Sequence, residues 1–318
     1  IEQANRSMRV LAIVKEVAGV KTLIAGVCIR DNVRQGIKET VRVMNEAGVT
    51  VVMVTGDRKE TAVAIAKEAG IYKSTDDVVL THDELASLSD EEVKALLPRL
   101  KVVSRALPLD KKRLVNLAQE IDLVAGMTGD GVNDAPSLKA ADIGFSMGDG
   151  TQAAQESSDV VILNNSLTSI EKAVLYGRTM TESVKKFIIF QLTVNVTTIA
   201  LALVGPLVGF KEPFTIIQIL WINLIMDTLA ALAFGEEPTL ERYMKRPPVG
   251  RKENILTGYM KSAIGVAGLF ITVVSTMLLA NLFNLQQMFD LHNSKEVLTF
   301  MFTFFIYAVI FNSLNTRS

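Results

Sequence analysis

The chain has 318 residues, and its 33 Lys plus Arg against 34 Asp plus Glu give a formal net charge of −1. That balance excludes the basic excess on which nucleic-acid binding rests, so no nucleic-acid partner is expected. Hydrophobic residues make up 49% and charged residues 21%, but they are segregated: 1–186 reads as a mixed soluble domain, whereas long apolar runs dominate from Phe187 onward. A single cysteine, Cys28, permits no intrachain disulfide and reads as buried filler in an apolar run. The chain opens at Ile1, mid-pattern and without an initiator Met, which reads as a piece of a longer protein.

In the soluble part, strand-like and helix-like segments alternate. The apolar run 23–29 reads as a strand, and 33–47 carries Val33, Ile37, Val41 and Met44 at helical spacing before Gly48. Residues 49–54 form a β-branched strand that enters a TGD turn at Thr55, Gly56 and Asp57. Helical patterns follow over 61–69, ending at Gly70, and over 109–120. Residues 123–127 lead into a second TGD at Thr128, Gly129 and Asp130, and 141–145 and 160–163 are further short strands. Apolar strands separated by amphipathic helices predict a parallel sheet covered on both faces. Ligands of such sheets sit at the carboxyl ends of the strands, where both TGD turns fall, and one sheet is expected to carry both.

A long helical pattern covers 167–208, polar at first (Glu171, Lys172, Arg178, Glu182, Lys185, Lys186) and apolar after. Four membrane spans are expected, at 187–209, 214–234, 255–282 and a marginal 297–314, each judged against the ~20 residues that a bilayer requires. The domain division is accordingly 1–166 and 167–318. Lys185 and Lys186 precede the first span, and Arg242, Lys245, Arg246, Arg251 and Lys252 lie between the second and third, whereas the remaining loops hold Lys211 and Lys295. The positive-inside rule therefore puts 1–186 and the 236–254 loop in the cytoplasm of a multi-pass protein whose partners include membrane lipids.

Asp57, Asp130 and Asp134 at the strand ends of one sheet would repel one another without a cation among them. Mg2+, which takes one or two carboxylates with phosphate oxygens and waters, suits that place. Gly56, Gly129 and Gly131 allow close backbone approach to a phosphate, and Thr55 and Lys111 can donate to its oxygens. One TGD alone is ordinary turn chemistry; two of them, the second extended to TGDGVNDAPSLKAADIG, point to a site. In the membrane part, Asp227 is an ionisable group inside a span, which points to function. Asn223 lies one helical turn before it and shares its face, and Asn195 lies mid-span in the first helix. Such oxygen ligands suit a hard cation such as Ca2+; interhelical hydrogen bonding is the structural alternative.

TGDGVNDAP resembles the hinge motif of P-type cation-transporting ATPases, members of the haloacid dehalogenase-like superfamily. DNVR from Asp31 to Arg34 is similar to that family's DPPR segment, the first TGD to its phosphate-binding turn, and SRALPLDK, ending at Lys111, to the segment with its phosphate-contacting lysine. The resemblance implies an α/β haloacid-dehalogenase-like cytoplasmic domain, with a Rossmann-like parallel sheet, joined to an all-α transmembrane helical bundle. It implies Asp130 as the main Mg2+ ligand, with Asn133 and Asp134 positioning the metal and acyl phosphate. Thr55, Gly56 and Lys111 would hold phosphoryl oxygens, and Asp57 and Arg105 would face the nucleotide. The family hydrolyses ATP through an aspartyl phosphate formed in a DKTGT motif. This sequence contains no such motif and so no phosphorylated Asp. The chain then resembles a C-terminal part, inactive alone, whose partner is the missing half with the actuator and nucleotide-binding domains and helices one to four.

QLTVNVTT and LWINLIMDTLAALAFGEEPT resemble the fifth and sixth membrane helices of calcium pumps, particularly the plasma-membrane type. That implies Asn195, Asn223 and Asp227 as contacts of transported Ca2+. Thr198 stands where two-ion pumps carry Glu, and the stretch around Val309 has no carboxylate, which implies one ion per cycle. The alternatives are a P-type pump for Mn2+, Na+ or K+, a membrane-anchored phosphatase for which Asp31 is the candidate nucleophile, or a non-catalytic membrane-anchored haloacid-dehalogenase-like module.

Overall fold

The computed structural model describes residues 9–17, 19–29 and 33–317. Ile1, Asp31 and the side chain of Cys28 lie outside the described residues. Two compact units divide the chain: 1–175 with 241–253, and 176–240 with 254–318.

The first unit opens with an antiparallel hairpin of β1 (Arg9–Val17) and β2 (Val20–Ile29), in which Val17 pairs with Val20 and Gly19 takes φ +80°. The apolar run 23–29 is therefore a hairpin strand and not part of the parallel sheet expected for it. A two-residue connection permits only antiparallel pairing. Leu11, Ile13, Val20, Leu23 and Ile24 of this hairpin are exposed.

Next come α1 (Ile37–Glu46), β3 (Met53–Val54), α2 (Lys59–Glu68), β4 (Val78–Thr81), α3 (His82–Ser87), α4 (Asp90–Leu96), β5 (Leu100–Ser104) and α5 (Pro108–Glu120). The three strands form a parallel sheet in the order β3–β5–β4. Successive side chains of the central strand β5 point to opposite faces, and both are covered: Val102 packs with Ala62 and Ala66 of α2, and Val103 with Leu85, Leu114 and Leu117.

A second parallel sheet has the order β6–β7–β8, built from β6 (Gly126–Gly129), β7 (Ile143–Met147) and β8 (Val160–Ile162), with α6 (Ala135–Ala140) and α7 (Gln152–Glu156) as crossovers. The single sheet expected to carry both TGD turns is thus two three-stranded sheets. β3 pairs only with β5 and β6 only with β7, so each sheet ends on an open edge strand among the described residues, and each of those strands carries a TGD at its carboxyl end.

The segment 241–253, expected on the same side of the membrane as the α/β part, is built into it. Tyr243 and Met244 are buried, and Met244 joins a core with Met44, Ala47, Phe145, Ile162 and Ile170. Arg251 pairs with Asp142, and Lys252 Nζ lies 2.7 Å from Asp122 Oδ2. Gly48 takes φ +74° beside Pro248, where a Cβ would come within 2.6 Å of the proline ring. Arg242 and Arg246 lie over the Tyr243 ring. This basic segment is therefore a packing element.

The boundary between the units falls inside α8 (Leu167–Val204), a helix of 38 residues that is ~57 Å long. It ends before Val208, where the expectation had placed its end, because Pro206 has no N–H to donate; a 3-10 turn over Gly205–Val208 and Gly209 at φ +97° close it. The second span is interrupted: α9 (Ile216–Trp221) and α10 (Asp227–Gly235) flank a π-helical turn, Ile222–Met226. α11 (Gly258–Leu279), the short α12 (Leu285–Met288) and α13 (Ser294–Arg317) complete the chain. Four helical runs are long and apolar enough to cross a membrane: Leu167–Val208, Ile216–Gly235, Gly258–Leu279 and Ser294–Thr316. The last is longer than the sequence pattern suggested. Phe190, Val194, Leu201, Ile271, Met301, Phe305 and Val309 form the core of this unit.

Met244→Ala removes a buried side chain from the contact between 241–253 and α1, at a cost of about 2 kcal/mol. Trypsin is expected to cut after Lys245 several-fold faster in this variant, with other sites unchanged; equal cleavage rates would show that the segment is not held by its core contact.

Candidate functional site

The first TGD turn leaves β3 and is clipped to the chain beyond β5. Thr55 N donates to Val103 O, Ala106 N to Thr55 O and Arg105 N to Asp57 O, each at 2.9 Å. Thr55 Oγ1 donates to Asp57 Oδ2 at 2.9 Å, and Asp57 N donates to Thr55 Oγ1 at 3.2 Å. Arg105 adopts φ +52°, an uncommon backbone state for a residue with a Cβ. Gly56, Asp57 and Arg105 are exposed and Thr55 is half-buried. Lys59, at the start of α2, bonds Glu84 at 2.8 Å, and Glu84 caps α3 together with Thr81. The Lys59 ammonium and the Thr81 amide hold the Glu84 carboxyl below the usual range.

The second turn is organised around Asp134, which is 6% exposed. Lys111 Nζ of α5 donates to its Oδ1 at 2.6 Å, and the amides of Asp130 and Gly131 donate to its Oδ2 at 3.3 Å. Ser137 Oγ donates to the Asp134 carbonyl at 2.8 Å. A Cβ at Gly129 would lie 2.4 Å from that of Asp134, so only glycine fits beneath this carboxylate. Thr151 N donates to Asp130 O at 2.8 Å, which fixes the turn from the far side. The side chains of Asp130 and Asn133 stay exposed.

The three carboxylates expected around one cation are therefore not gathered. Among the described residues no group of three His, Cys, Asp or Glu side chains could hold a metal. Asp57 belongs to the first sheet and Asp130 and Asp134 to the second, and Asp134 is already neutralised by Lys111. What the structure does join is Lys111 with Asp134. Asp130 keeps an exposed carboxylate with no hydrogen bond or ion pair among the described residues, which fits the one or two that Mg2+ takes alongside phosphate oxygens and waters.

In the second unit, Asp227 meets Gln191 of α8, whose Nε2 donates to Asp227 Oδ2 at 2.7 Å. Asn195 is half-buried one turn beyond Gln191. Asn223 is exposed and makes no hydrogen bond to Asp227 among the described residues. The π turn between them shifts bonding from i+4 to i+5, so the four-residue spacing no longer stacks as in an α-helix. Sequence reasoning missed Gln191 and Thr151. The signal for Gln191 was a polar residue four positions before Asn195 in an otherwise apolar run.

Two family models match: Cation transporting ATPase, C-terminus, over residues 211–318, and haloacid dehalogenase-like hydrolase over residues 4–142. Over its C-terminal third the chain is thus similar to cation-transporting ATPases, and over 4–142 to haloacid dehalogenase-like hydrolases. It is 42% identical over 298 residues to "Probable calcium-transporting ATPase 8, plasma membrane-type" of Oryza sativa subsp. japonica, covering 93% of this chain and 29% of that protein. It is 39% identical over 300 residues to calcium-transporting ATPase 4, plasma membrane-type, of Arabidopsis thaliana, covering 94% and 29%. With calcium-transporting ATPase 2 of Schizosaccharomyces pombe it shares 39% over 295 residues, covering 91% and 22%. The chain thus spans less than a third of the length of these relatives. The haloacid dehalogenase-like match is in keeping with the parallel sheets of the first unit.

Asp134→Ala leaves Lys111 and two amides without their acceptor and is expected to destabilise the α/β unit by about 3 kcal/mol. Asp130→Asn, at an exposed carboxylate, should change it by less than about 0.5 kcal/mol. Chemical unfolding, read together with amide exchange at Gly131, checks the contrast; equal effects would mean that Asp134 does not organise the turn.

Proposed function

We propose that the chain is the phosphate-gripping and ion-path portion of an ATP-driven pump that moves Ca2+ across the plasma membrane through an aspartyl phosphate. In this reading 1–166 is a partial phosphorylation domain and 167–318 the stalk and membrane domain, with 1–186 cytoplasmic. The observation that supports it most is the pair of open strand edges, β3 and β6, each ending in a TGD turn, with Lys111 of the first sheet's helix bonded to Asp134 of the second turn. One further parallel strand between β3 and β6 would merge the two sheets and bring its own carboxyl end between the two turns. A DKTGT segment there, contributed by the larger remainder of the pump, would put the nucleophilic Asp where ligands of such sheets bind.

The roles follow from what each group offers. Thr55, the Gly56 amide and Lys111 donate to phosphoryl oxygens. Asp57 and Arg105, exposed on the rim of the first turn, face the nucleotide. Asp130 offers its free carboxylate to Mg2+, which when bound offsets phosphoryl charge. Asp134 keeps the turn amides and Lys111 in place, and Asn133 presents an exposed amide beside them. In the membrane part, Asp227 and Asn195 face the Ca2+ path. Asn223, a polar side chain uncovered on an apolar span, calls for a partner from a helix outside this chain. The relatives' printed names favour Ca2+ over Mn2+, Na+ or K+.

In the complete pump, Asp130→Asn should lower the Mg2+-dependent phosphoenzyme and the ATP-driven uptake of radiolabelled Ca2+ into vesicles at least ~10-fold, whereas residues 1–318 alone should show neither. Uptake at the wild-type rate in the variant, or by the chain alone, would overturn the proposal. α8 is the continuous element that runs from the phosphate-handling part into the ion path. A Gly-Pro insertion after Arg178 breaks it at a cost of ~3 kcal/mol or more. ATP hydrolysis without Ca2+ uptake is then expected, and preserved coupling would refute the role of the helix.

A further inference from the structure

Asp227 and Gln191 carry a feature that the pump reading above does not use. Gln191 Nε2 donates to Asp227 Oδ2 at 2.7 Å. The other oxygen of each group, Gln191 Oε1 and Asp227 Oδ1, is sealed from solvent and accepts no hydrogen bond among the described residues. An interhelical hydrogen bond formed only for packing satisfies polar atoms; this one leaves two buried acceptors without a donor among the described residues. A buried acceptor without a donor costs about 1–3 kcal/mol, and a carboxylate oxygen more. A pair of them is an arrangement deficient in positive charge.

The elements on either side fix the two groups. Thr193 and Thr197 on α8 turn their hydroxyls back to the carbonyls of Ile189 and Thr193, at 2.7 Å each, and so offer no proton to the pair. Asp227 opens α10 directly after the π turn Ile222–Met226, a kind of irregularity that recurs at functional sites. Phe190, Val194 and Met226, neighbours in sequence of the two polar groups, are buried in the apolar core.

The structure assigns Gln191 to the ion site, as the residue that holds Asp227 through Nε2 and presents Oε1 as a second, neutral oxygen to the same cation. The inference rests on the pump reading and adds to it a ligand on α8 one turn before Asn195. A carboxamide suits the task. It is a donor to the carboxylate and an acceptor toward the cation, whereas a hydrocarbon of the same length is neither. Its oxygen matches the amide and carboxylate set that Ca2+ takes.

The test is Ca2+ activation of the complete pump with Gln191→Met, Gln191→Glu and Asp227→Asn. Gln191→Met keeps length and volume but loses both functions, so the half-saturating Ca2+ concentration should rise about tenfold, from loss of a charge-assisted hydrogen bond and one ligand. The maximal rate at saturating Ca2+ should fall less than twofold. Gln191→Glu keeps an oxygen at the same reach and should bring half-saturation back to within about threefold of wild type. An unchanged half-saturation in Gln191→Met overturns the inference, as does a lower maximal rate with no change in half-saturation, since either marks Gln191 as packing alone. Asp227→Asn separates the two readings. If it abolishes Ca2+ activation while Gln191→Met has no effect, the pump reading stands and the Gln191 assignment falls. If Asp227→Asn itself leaves Ca2+ activation intact, the ion site is elsewhere and both fall.

Discussion

The first unit depends on one carboxylate kept out of water. Asp134 is buried to 6% exposure, and a charge at that depth is costly unless it is paired and hydrogen-bonded. Its partners come from two directions: Lys111 from the helix that follows the sheet β3–β5–β4, and the amides of Asp130 and Gly131 from the turn that leaves β6. The pair therefore ties two separate sheets together at their carboxyl ends. It also gives the spacing of TGDGVND a physical reason. Gly129 is needed because a Cβ there would collide with Asp134, and the four-residue return lets Asp134 fold over the Asp130 and Gly131 amides. Asp130 is left pointing outward with its charge unspent.

Among the described residues each sheet has two edge strands, β3 and β4 in the first and β6 and β8 in the second. Parallel strands occur almost only where both faces are covered, and β5 obeys this, with α2 on one face and α3 to α5 on the other. β3 and β6 are the edge strands that carry the TGD turns, and among the described residues each pairs on one side alone. Natural proteins rarely leave such an edge bare. The hairpin β1–β2, with its apolar residues exposed, is a third surface of this kind. In the function proposed above these places are completed by the rest of the pump; the chain itself spans less than a third of its relatives' length. The segment 241–253 shows what completion looks like: distant in sequence, it returns to bury Met244 against α1 and to pair Arg251 with Asp142.

What was legible in the sequence is what local physics decides. Gly48 and Gly70 marked helix ends because both take positive φ there, at +74° and +75°. The four spans were legible because hydrophobic runs of that length have few other uses. Their details moved where one residue intervened, as Pro206 did at the end of α8. β4 and β5 were missed although VVLT and LKVVS are β-branched, because charged segments surround both. The division into two sheets was not legible at all, since strand order is set by pairing between distant segments. Of the candidate site, both turns and Lys111 were found from motif and spacing. The gathering of three carboxylates failed because the pairing of Lys111 with Asp134 is a tertiary fact. Gln191 escaped for the same reason: its partner lies 36 positions away on another helix.

Asp134 and Asp227 show how one residue type is fitted to two tasks. Asp134 has a full-charge partner and two amides, and both of its oxygens accept a hydrogen bond. A carboxylate held in this way keeps its neighbours in place. Among the described residues Asp227 has a single neutral donor and keeps one buried oxygen without a hydrogen bond, as does the donor's own side chain. A packing contact would be poorly built this way, because saturation is what makes a buried polar network stabilising and partial saturation is what makes it costly. In the assignment made above, a positive charge settles the deficit when it arrives and restores it when it leaves. A neutral amide partner allows both. Lysine in place of Gln191 would neutralise Asp227 permanently, as Lys111 does Asp134, and would close the site to a cation.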